Sequence, residues 1–194
     1  MDFIFDLETA PLEFMKYTKV DEITHKEKDI GALSPITGRI TALGWRNGDK
    51  QQIFLDEDES KILDQFWRSI EAESKADNAF IRLIGFSVKD FDMHFLIVRS
   101  LHHNIKIAKF DNKLILDLRE HLAFFQPSVK KGTLSDYAKL IKIDGKYKDI
   151  RSEDVPILWR DKKFDDLKEY LSHDLRITEQ LYLKCKEFGI LGDY

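Results

Sequence analysis

The feature that most constrains the fold of this chain lies near its start, where residues 3–8 combine apolar side chains with two acids. Side chains alternate across a β-strand, so Asp6 and Glu8 share one face with Ile4. The opposite face is wholly apolar, and Ile4 places an apolar residue on the face of the two acids as well. Apolar residues on both faces are typical of a strand in the middle of a covered sheet. The run therefore predicts a central strand with two carboxylates side by side on one face.

Two neighbouring carboxylates in such a place repel each other and lose hydration, so they need compensation. Mg²⁺ and Mn²⁺ prefer oxygen ligands and are commonly held by one or two carboxylates together with substrate phosphates. Asp6 and Glu8 are therefore candidate ligands of a divalent cation. The alternative at this point is a strand end that runs into solvent with two hydrated acids.

Length and composition indicate one globular domain. A chain of 194 residues predicts a single domain over residues 1–194, and 43% hydrophobic with 34% charged residues is typical of a soluble protein. The one cysteine, Cys185, excludes an intramolecular disulfide and a multi-cysteine zinc site. No apolar run approaches the roughly 20 residues of a membrane span, and no signal peptide is evident at the N-terminus. We expect a complete cytoplasmic protein without membrane association.

The distribution of charge is more informative than the net charge of −4, which argues against a generic electrostatic nucleic-acid binder. Residues 128–163 contain ten basic and six acidic residues, an excess of +4 that leaves −8 on the rest of the chain. A basic region beside an acidic centre suits a phosphate backbone that is led to a metal site. A solvated surface of mixed charge is the alternative.

Hydrophobic periodicity predicts three antiparallel strands followed by strands that alternate with helices. The turn Asn47-Gly48 favours a hairpin between the second and third strands. This order implies one α/β domain around a mixed sheet. We predict strands near residues 3–8, 40–46, 51–55, 79–86 and 113–118, and helices near 59–76, 92–101, 133–141 and 164–187.

Two later acids also occupy unusual positions. Tyr170 and Asp174 lie four residues apart, so they share a face of the last helix, and an unpaired carboxylate beside its apolar stripe is costly. A salt bridge, for example to Arg176, or a metal ion would resolve that cost. Asp92 stands at the start of a helix, where free N–H groups favour an anion. Ordinary helix capping by Asp92 or Asp90 is the alternative.

Taken in order, these three segments resemble the three motifs of DEDD 3′-5′ exonucleases. They are Asp-x-Glu-Thr on the first strand, Phe-Asp followed by Phe-Leu at a strand-to-helix turn, and Tyr-x-x-x-Asp in a late helix. Tyr170 in place of a histidine resembles the DEDDy branch. Residues 33–40, 115–119 and 132–139 are further similar to stand-alone relatives of the exonuclease domain of family B DNA polymerases.

The resemblance implies an RNase H-like α/β fold: a mixed sheet of three antiparallel strands and then parallel strands, flanked by helices. It also implies a phosphodiester hydrolase that uses two Mg²⁺ or Mn²⁺ ions, with Tyr170 positioning the attacking water. The residues that it assigns to the metal ions are Asp6, Glu8, Asp92 and Asp174. Those that it assigns to substrate binding are Thr9, Ser87 and Phe91.

We expect the substrate to be single-stranded DNA, degraded from its 3′ end to nucleoside 5′-monophosphates. The alternatives are an exoribonuclease with the same site and a catalytically silent scaffold that binds nucleic acid. Motifs do not separate DNA from RNA, because that discrimination depends on how a pocket treats the 2′-hydroxyl. A polymerase or repair partner would have to be another chain.

Three further expectations concern the substrate. Ser87 stands where the family usually has asparagine, and one short hydroxyl replaces an amide there, which bears on strand positioning rather than on the metal ligands. Residues 11–39 are long for a connection, so we expect a mobile element near the 3′ end of the substrate. Trp159 is a candidate for base stacking.

Overall fold

The computed structural model describes residues 1–22, 25, 27–76, 78–129, 132–143 and 150–191. Within these residues one mixed sheet contains five strands: β1 (Asp2–Pro11), β4 (Gly38–Asn47), β5 (Lys50–Leu55), β6 (Arg82–Gly85) and β7 (Ile115–Asp117). A separate small hairpin pairs β2 (Thr18–Val20) with β3 (Glu27–Asp29). The helices are α1 (Glu59–Ala76), α2 (Asp92–His102), α3 (Leu118–Leu122), α4 (Leu134–Leu140), α5 (Val155–Arg160) and α6 (Phe164–Glu187).

The strand order of the main sheet is β5-β4-β1-β6-β7, so β1 is its central strand. β1 pairs antiparallel with β4, and β4 pairs antiparallel with β5. β6 runs parallel to β1, and β7 runs parallel to β6. The α/β prediction of three antiparallel strands followed by parallel strands is therefore confirmed. Among the described residues, no helix has both the length and the apolar character that crossing a membrane requires.

Helices cover both faces of β1. On one face Phe3, Phe5 and Leu7 pack in a core with residues of α1 and α2. On the other face Ile4 packs in a second core with leucines of α6. Because side chains alternate along a strand, Asp6 and Glu8 lie on the same face as Ile4, beneath α6.

Most predicted elements are present, and the long amphipathic ones are placed best. The helices expected at 59–76 and 164–187 have those bounds. The strands expected at 79–86 and 113–118 are shorter, because β6 begins only at Arg82 and β7 ends where Asp117 caps α3. The pattern missed α5 and the β2–β3 hairpin, and β1 continues to Pro11 instead of ending at Glu8.

Candidate active site

The first two acids lie in the middle of the sheet. Asp6 is half-buried, and Glu8 is buried with 8% of its surface exposed. Their antiparallel partners on β4 are Gly44 and Ala42, and the register shifts immediately after Glu8. Such a bulge bends one strand and re-aims its side chains. The acid pair thus lies where the regular pairing of β1 with β4 is interrupted.

Asp92 reaches this pair because β6 leaves the edge of β1 early. The parallel pairing covers only Asp2–Ile4 of β1, and β6 ends at Gly85. Beyond that point the backbone N–H of Leu7 donates to Asp92 Oδ1 at 3.3 Å and to Asp6 Oδ1 at 3.0 Å. The carboxylate of Asp92 therefore occupies the edge that a longer β6 would have covered.

The departure of β6 depends on the absence of a side chain at Gly85. A Cβ there would lie 2.8 Å from the carbonyl oxygen of Phe5 and 2.1 Å from Cγ1 of Val88. Both distances are shorter than real Cβ contacts, and the first atom belongs to the backbone. Glycine therefore allows the loop over residues 86–91 to turn tightly against β1 and deliver Asp92.

The fourth acid and the tyrosine come from α6. Asp6, Glu8 and Asp174 each offer one carboxylate oxygen, and these three oxygens lie within 4.8 Å of one another. The Tyr170 hydroxyl donates a hydrogen bond to Asp174. Arg176, considered above as a salt-bridge partner, has Nη2 2.8 Å from Nδ1 of His173. The three sequence-distant segments thus bring their acids to one place.

The electrostatics of this cluster favour a cation. Burial, followed by repulsion from neighbouring carboxylates, raises the pKa values of Asp6 and Glu8 well above their usual range. Burial chiefly raises the pKa of Asp92 to about 7 and that of Asp174 to about 6. Carboxylate oxygens are the ligands that Mg²⁺ and Mn²⁺ prefer, so the residues fit a divalent cation.

Tyr170 differs from the four acids in that it carries a proton it can donate. Burial, and then the negative charges of Glu8, Asp174 and Asp6, raise the pKa of its hydroxyl. The phenol therefore stays protonated at neutral pH and acts as a hydrogen-bond donor.

Helix capping does not account for the position of Asp92. Phe91 is the N-cap residue of α2, and among the described residues no side chain caps it. Asp92 lies in the first turn, 96% buried, with its carboxylate against β1. Asp90, the other capping candidate, is exposed.

The three predicted substrate-binding residues flank the acids. The Thr9 hydroxyl donates to the carbonyl oxygen of Ala32 at 2.8 Å, which fixes the turn Gly31–Leu33 beside β1. Ser87 has a left-handed backbone, with φ of 64°, and Nη1 of Arg119 donates to its hydroxyl oxygen at 3.1 Å. The half-buried ring of Phe91 lies 4.9 Å from that of Phe95. Their contact with a substrate stays a prediction.

Asp117 lies in the segment 115–119, for which the sequence predicted a family resemblance but no role at the site. Its side chain is completely buried at the end of β7, and it accepts hydrogen bonds from the backbone N–H groups of Ser87 and Lys89 at 3.0 and 3.1 Å. The available signal was an acid that follows the apolar residues Ile115 and Leu116, as Asp6 follows Phe5.

The basic region is only partly described, because Lys130, Lys131, Lys146 and Lys148 lie outside the described residues. Arg151, Arg160 and Lys162 form ion pairs with Glu153, Asp161 and Glu57, respectively. The Trp159 ring lies 5.3 Å from that of Phe164 and 5.1 Å from the Arg39 guanidinium. These contacts agree with a mixed-charge surface, and a role in nucleic-acid binding stays a prediction.

Comparison with known proteins gives three similarities. A family described as a predicted 3′-5′ exonuclease related to the exonuclease domain of PolB matches residues 106–190, which include Tyr170 and Asp174. Uncharacterized protein MJ0365 of Methanocaldococcus jannaschii is 34% identical over 172 residues, with 83% of this chain and 93% of that relative covered. The crystal structure of the Nibbler EXO domain of Aedes aegypti is similar over 93% of this chain and 85% of that one, at 15% identity. Its TM-score of 0.36 is too low to carry an argument.

Proposed function

The chain belongs to the family of predicted 3′-5′ exonucleases related to the exonuclease domain of PolB, and from this premise we propose that it hydrolyses single-stranded DNA from the 3′ end. The products are nucleoside 5′-monophosphates. The proposal treats residues 1–194 as one exonuclease domain.

The observation that carries the proposal is the convergence of four carboxylates from β1, α2 and α6. Three of their oxygens lie within 4.8 Å of one another, and Asp92 shares the N–H of Leu7 with Asp6. Without a compensating cation, their burial and mutual repulsion oppose ionisation. This arrangement suits a centre that binds Mg²⁺ or Mn²⁺ more than it suits a structural role.

The residues that would hold two such ions are Asp6, Glu8, Asp92 and Asp174. When bound, two divalent cations neutralise the phosphate and stabilise both the attacking and the departing oxygen of an in-line displacement. The carboxylates would hold such ions beside the edge of β1 that the early end of β6 leaves without a strand partner. Water attacks phosphorus and gives up a proton, the P–O bond to the 3′-oxygen of the preceding nucleotide breaks, and that oxygen takes up a proton to become the new 3′-hydroxyl.

Tyr170 orients the attacking water in this proposal. Its raised pKa means that the phenol donates a hydrogen bond and does not act as a general base. Its present acceptor, Asp174, is itself one of the four acids, so the hydroxyl already lies at the centre. The tyrosine therefore contributes orientation and leaves the acidity of the water to the metal ions.

The preference for DNA and the path of the strand also belong to the proposal. The exposed basic residues Lys139, Lys142 and Lys163 of the 128–163 region would attract a phosphate backbone. Residues 11–39 follow the acid pair directly and would contact the 3′ end. Any polymerase or repair partner would use the chain as a separate exonuclease subunit.

A comparison of end-labelled strands tests this function. Matched single-stranded DNA and RNA oligonucleotides, labelled at the 5′ or the 3′ end, are incubated with protein and Mg²⁺, Mn²⁺ or EDTA. We expect 3′-labelled DNA to release labelled mononucleotide at once and 5′-labelled DNA to shorten stepwise, only with metal. Faster digestion of RNA would replace the DNA assignment with an exoribonuclease.

Two variants connect any activity to the site. Asp174→Asn should abolish hydrolysis, whereas Asp166→Asn on the same helix, two turns away, should retain it. Nucleic-acid binding without cleavage in the wild-type protein, under every metal condition, would support a silent scaffold instead.

A further inference from the structure

The structure assigns a role to Asp117 that lies outside the four candidate metal ligands. We propose that Asp117 is a positioning residue, which holds the backbone of residues 87–89 and thereby fixes Asp92 for metal binding. This inference rests on the proposed function, because it concerns how one candidate ligand of that site is held.

The first observation is that Asp117 directs both carboxylate oxygens at backbone donors. Oδ1 accepts from the N–H groups of Ser87 at 3.0 Å and Arg119 at 2.9 Å, with a longer bond from Glu120 at 3.3 Å. Oδ2 accepts from the N–H of Lys89 at 3.1 Å. A completely buried carboxylate is costly unless its oxygens are satisfied in this way. Since these donors occupy it, Asp117 is a poor candidate for a metal ligand.

The second observation is that Asp117 joins two parts of the chain that also meet through the pairing of β6 with β7 and the ion pair between Lys89 and Glu120. The donors Arg119 and Glu120 form the first turn of α3, which Asp117 caps as its N-cap residue. The donors Ser87 and Lys89 belong to the loop between β6 and α2. One side chain therefore connects this loop rigidly to a helix terminus.

The third observation is that the loop transmits this restraint to Asp92. The N–H groups of Asp90 and Phe91 donate to the carbonyl oxygen of Ser87 at 3.1 and 3.2 Å. The N–H of Met93 donates to the carbonyl oxygen of Val88, whose side chain is fully buried. Residues 87–93 thus form one continuous hydrogen-bonded turn, and its far end carries the carboxylate that meets Leu7.

The backbone of Ser87 makes the restraint necessary. Its φ of 64° lies in the left-handed region, which residues other than glycine, asparagine and aspartate rarely adopt. Such a conformation persists only where surrounding contacts determine it. The hydrogen bond from the Ser87 N–H to Asp117 is one such contact, and the bond from Arg119 to the Ser87 hydroxyl is another.

Asp117→Asn tests the inference with the smallest change in shape. An amide offers one acceptor oxygen in place of two, so its NH₂ group must face backbone N–H donors on one side. The loop is then held on fewer bonds, while the four candidate ligands stay intact. Asp111→Asn is the matched control. Asp111 is the N-cap residue of the preceding turn, Asn112–Leu114, and its carboxylate accepts the N–H of Lys113 within that turn and, among the described residues, makes no such bond to the loop.

The primary measurement is calorimetric titration of metal-free protein with Mn²⁺. We expect Asp117→Asn to weaken Mn²⁺ binding by about 10- to 100-fold, the usual effect of removing an outer partner of a metal ligand. Asp111→Asn should bind within about twofold of wild type. Hydrolysis by Asp117→Asn should recover at saturating Mn²⁺, with KM for the oligonucleotide unchanged. Unchanged Mn²⁺ affinity in a folded Asp117→Asn protein would overturn the inference.

Amide hydrogen exchange of the wild-type protein keeps the inference testable if the variant does not fold. We expect the amides of Ser87 and Lys89 to exchange as slowly as those in α3, and rapid exchange at both would overturn the inference. A wild-type protein that binds Mn²⁺ but cleaves no strand would refute the proposed function. The Mn²⁺ affinities of wild type and Asp117→Asn would then still decide the inference about Asp117. Failure of the wild type to bind Mn²⁺ would overturn both.

Discussion

Replacing Asp92 with asparagine should stabilise the metal-free protein at neutral pH while it impairs metal binding. Asp92 is 4% exposed, and its carboxylate faces Asp6 at the edge of β1. An asparagine there can still accept the N–H of Leu7 and can donate its amide to Asp6. The substitution therefore removes a buried charge and keeps the hydrogen bonds.

The magnitude follows from the pKa of this group. Asp92 has a pKa of about 7 in the folded protein, against the ordinary value of 3.8 expected for the unfolded chain. Between those values the folded state retains a proton that the unfolded state has lost, so stability falls as pH rises, by about 1.4 kcal/mol per pH unit. Above pH 7 the accumulated loss is about 4 kcal/mol for this group. Since the four acids titrate together, the pH range belongs to the cluster as a whole.

Urea unfolding in EDTA at pH 5 and pH 8 measures this loss. We expect the free energy of unfolding of wild type to be lower at pH 8 by several kcal/mol, and that of Asp92→Asn to fall by less, because, of the four acids, only Asp6, Glu8 and Asp174 still have raised pKa values in the variant. Adding Mn²⁺ at pH 8 should raise the free energy of unfolding of wild type, because the ion binds only the folded state, and should raise that of Asp92→Asn only weakly. Asp90→Asn, an exposed change in the same loop, should behave as wild type. A flat pH dependence in wild type, or a less stable Asp92→Asn protein at pH 8, would refute this reasoning.

Three further substitutions test other parts of the account. Tyr170→Phe should lower kcat by about 100-fold or more, because the orienting hydroxyl is lost, and single-turnover kinetics would measure this loss. Titration with Mn²⁺ should show an affinity close to that of wild type. Gly85→Ala should reduce the free energy of unfolding by about 2 kcal/mol, because its Cβ would overlap Val88 and the Phe5 carbonyl oxygen, and equal stability in chemical denaturation would contradict that. Arg99→Ala should reduce the free energy of unfolding by about 3 kcal/mol in the same assay, because Glu59 is 3% exposed and would lose its bidentate partner. A reduction below about 1 kcal/mol would count against a buried ion pair.

The elements that the sequence predicted best are those with a local physical signal. The bounds of α1 and α6 follow from many turns of apolar periodicity, and the central position of β1 follows from apolar residues on both of its faces. The acids could be singled out because a carboxylate in an apolar segment is costly wherever the segment packs. The distances between these acids could not be predicted, because they depend on where β6 ends and on how the loop over residues 86–91 turns.

What the sequence did not predict depends on short elements and distant contacts. The α5 helix has six residues and the strands β2 and β3 have three each, too few for periodicity to appear. The function of Asp117 depends on the N–H groups of residues about 30 positions earlier in the chain. The Thr9 hydroxyl likewise contacts a carbonyl group 23 residues away, which no spacing rule indicates.

The central claim is that the acid cluster binds divalent metal and removes nucleotides from a 3′ end. The most direct test is digestion of 3′-labelled single-stranded DNA by wild type and by Asp174→Asn, each with Mn²⁺ and with EDTA. The account predicts release of labelled nucleoside 5′-monophosphate by wild type with Mn²⁺ alone. Equal release in EDTA, or undiminished release by Asp174→Asn, would contradict it.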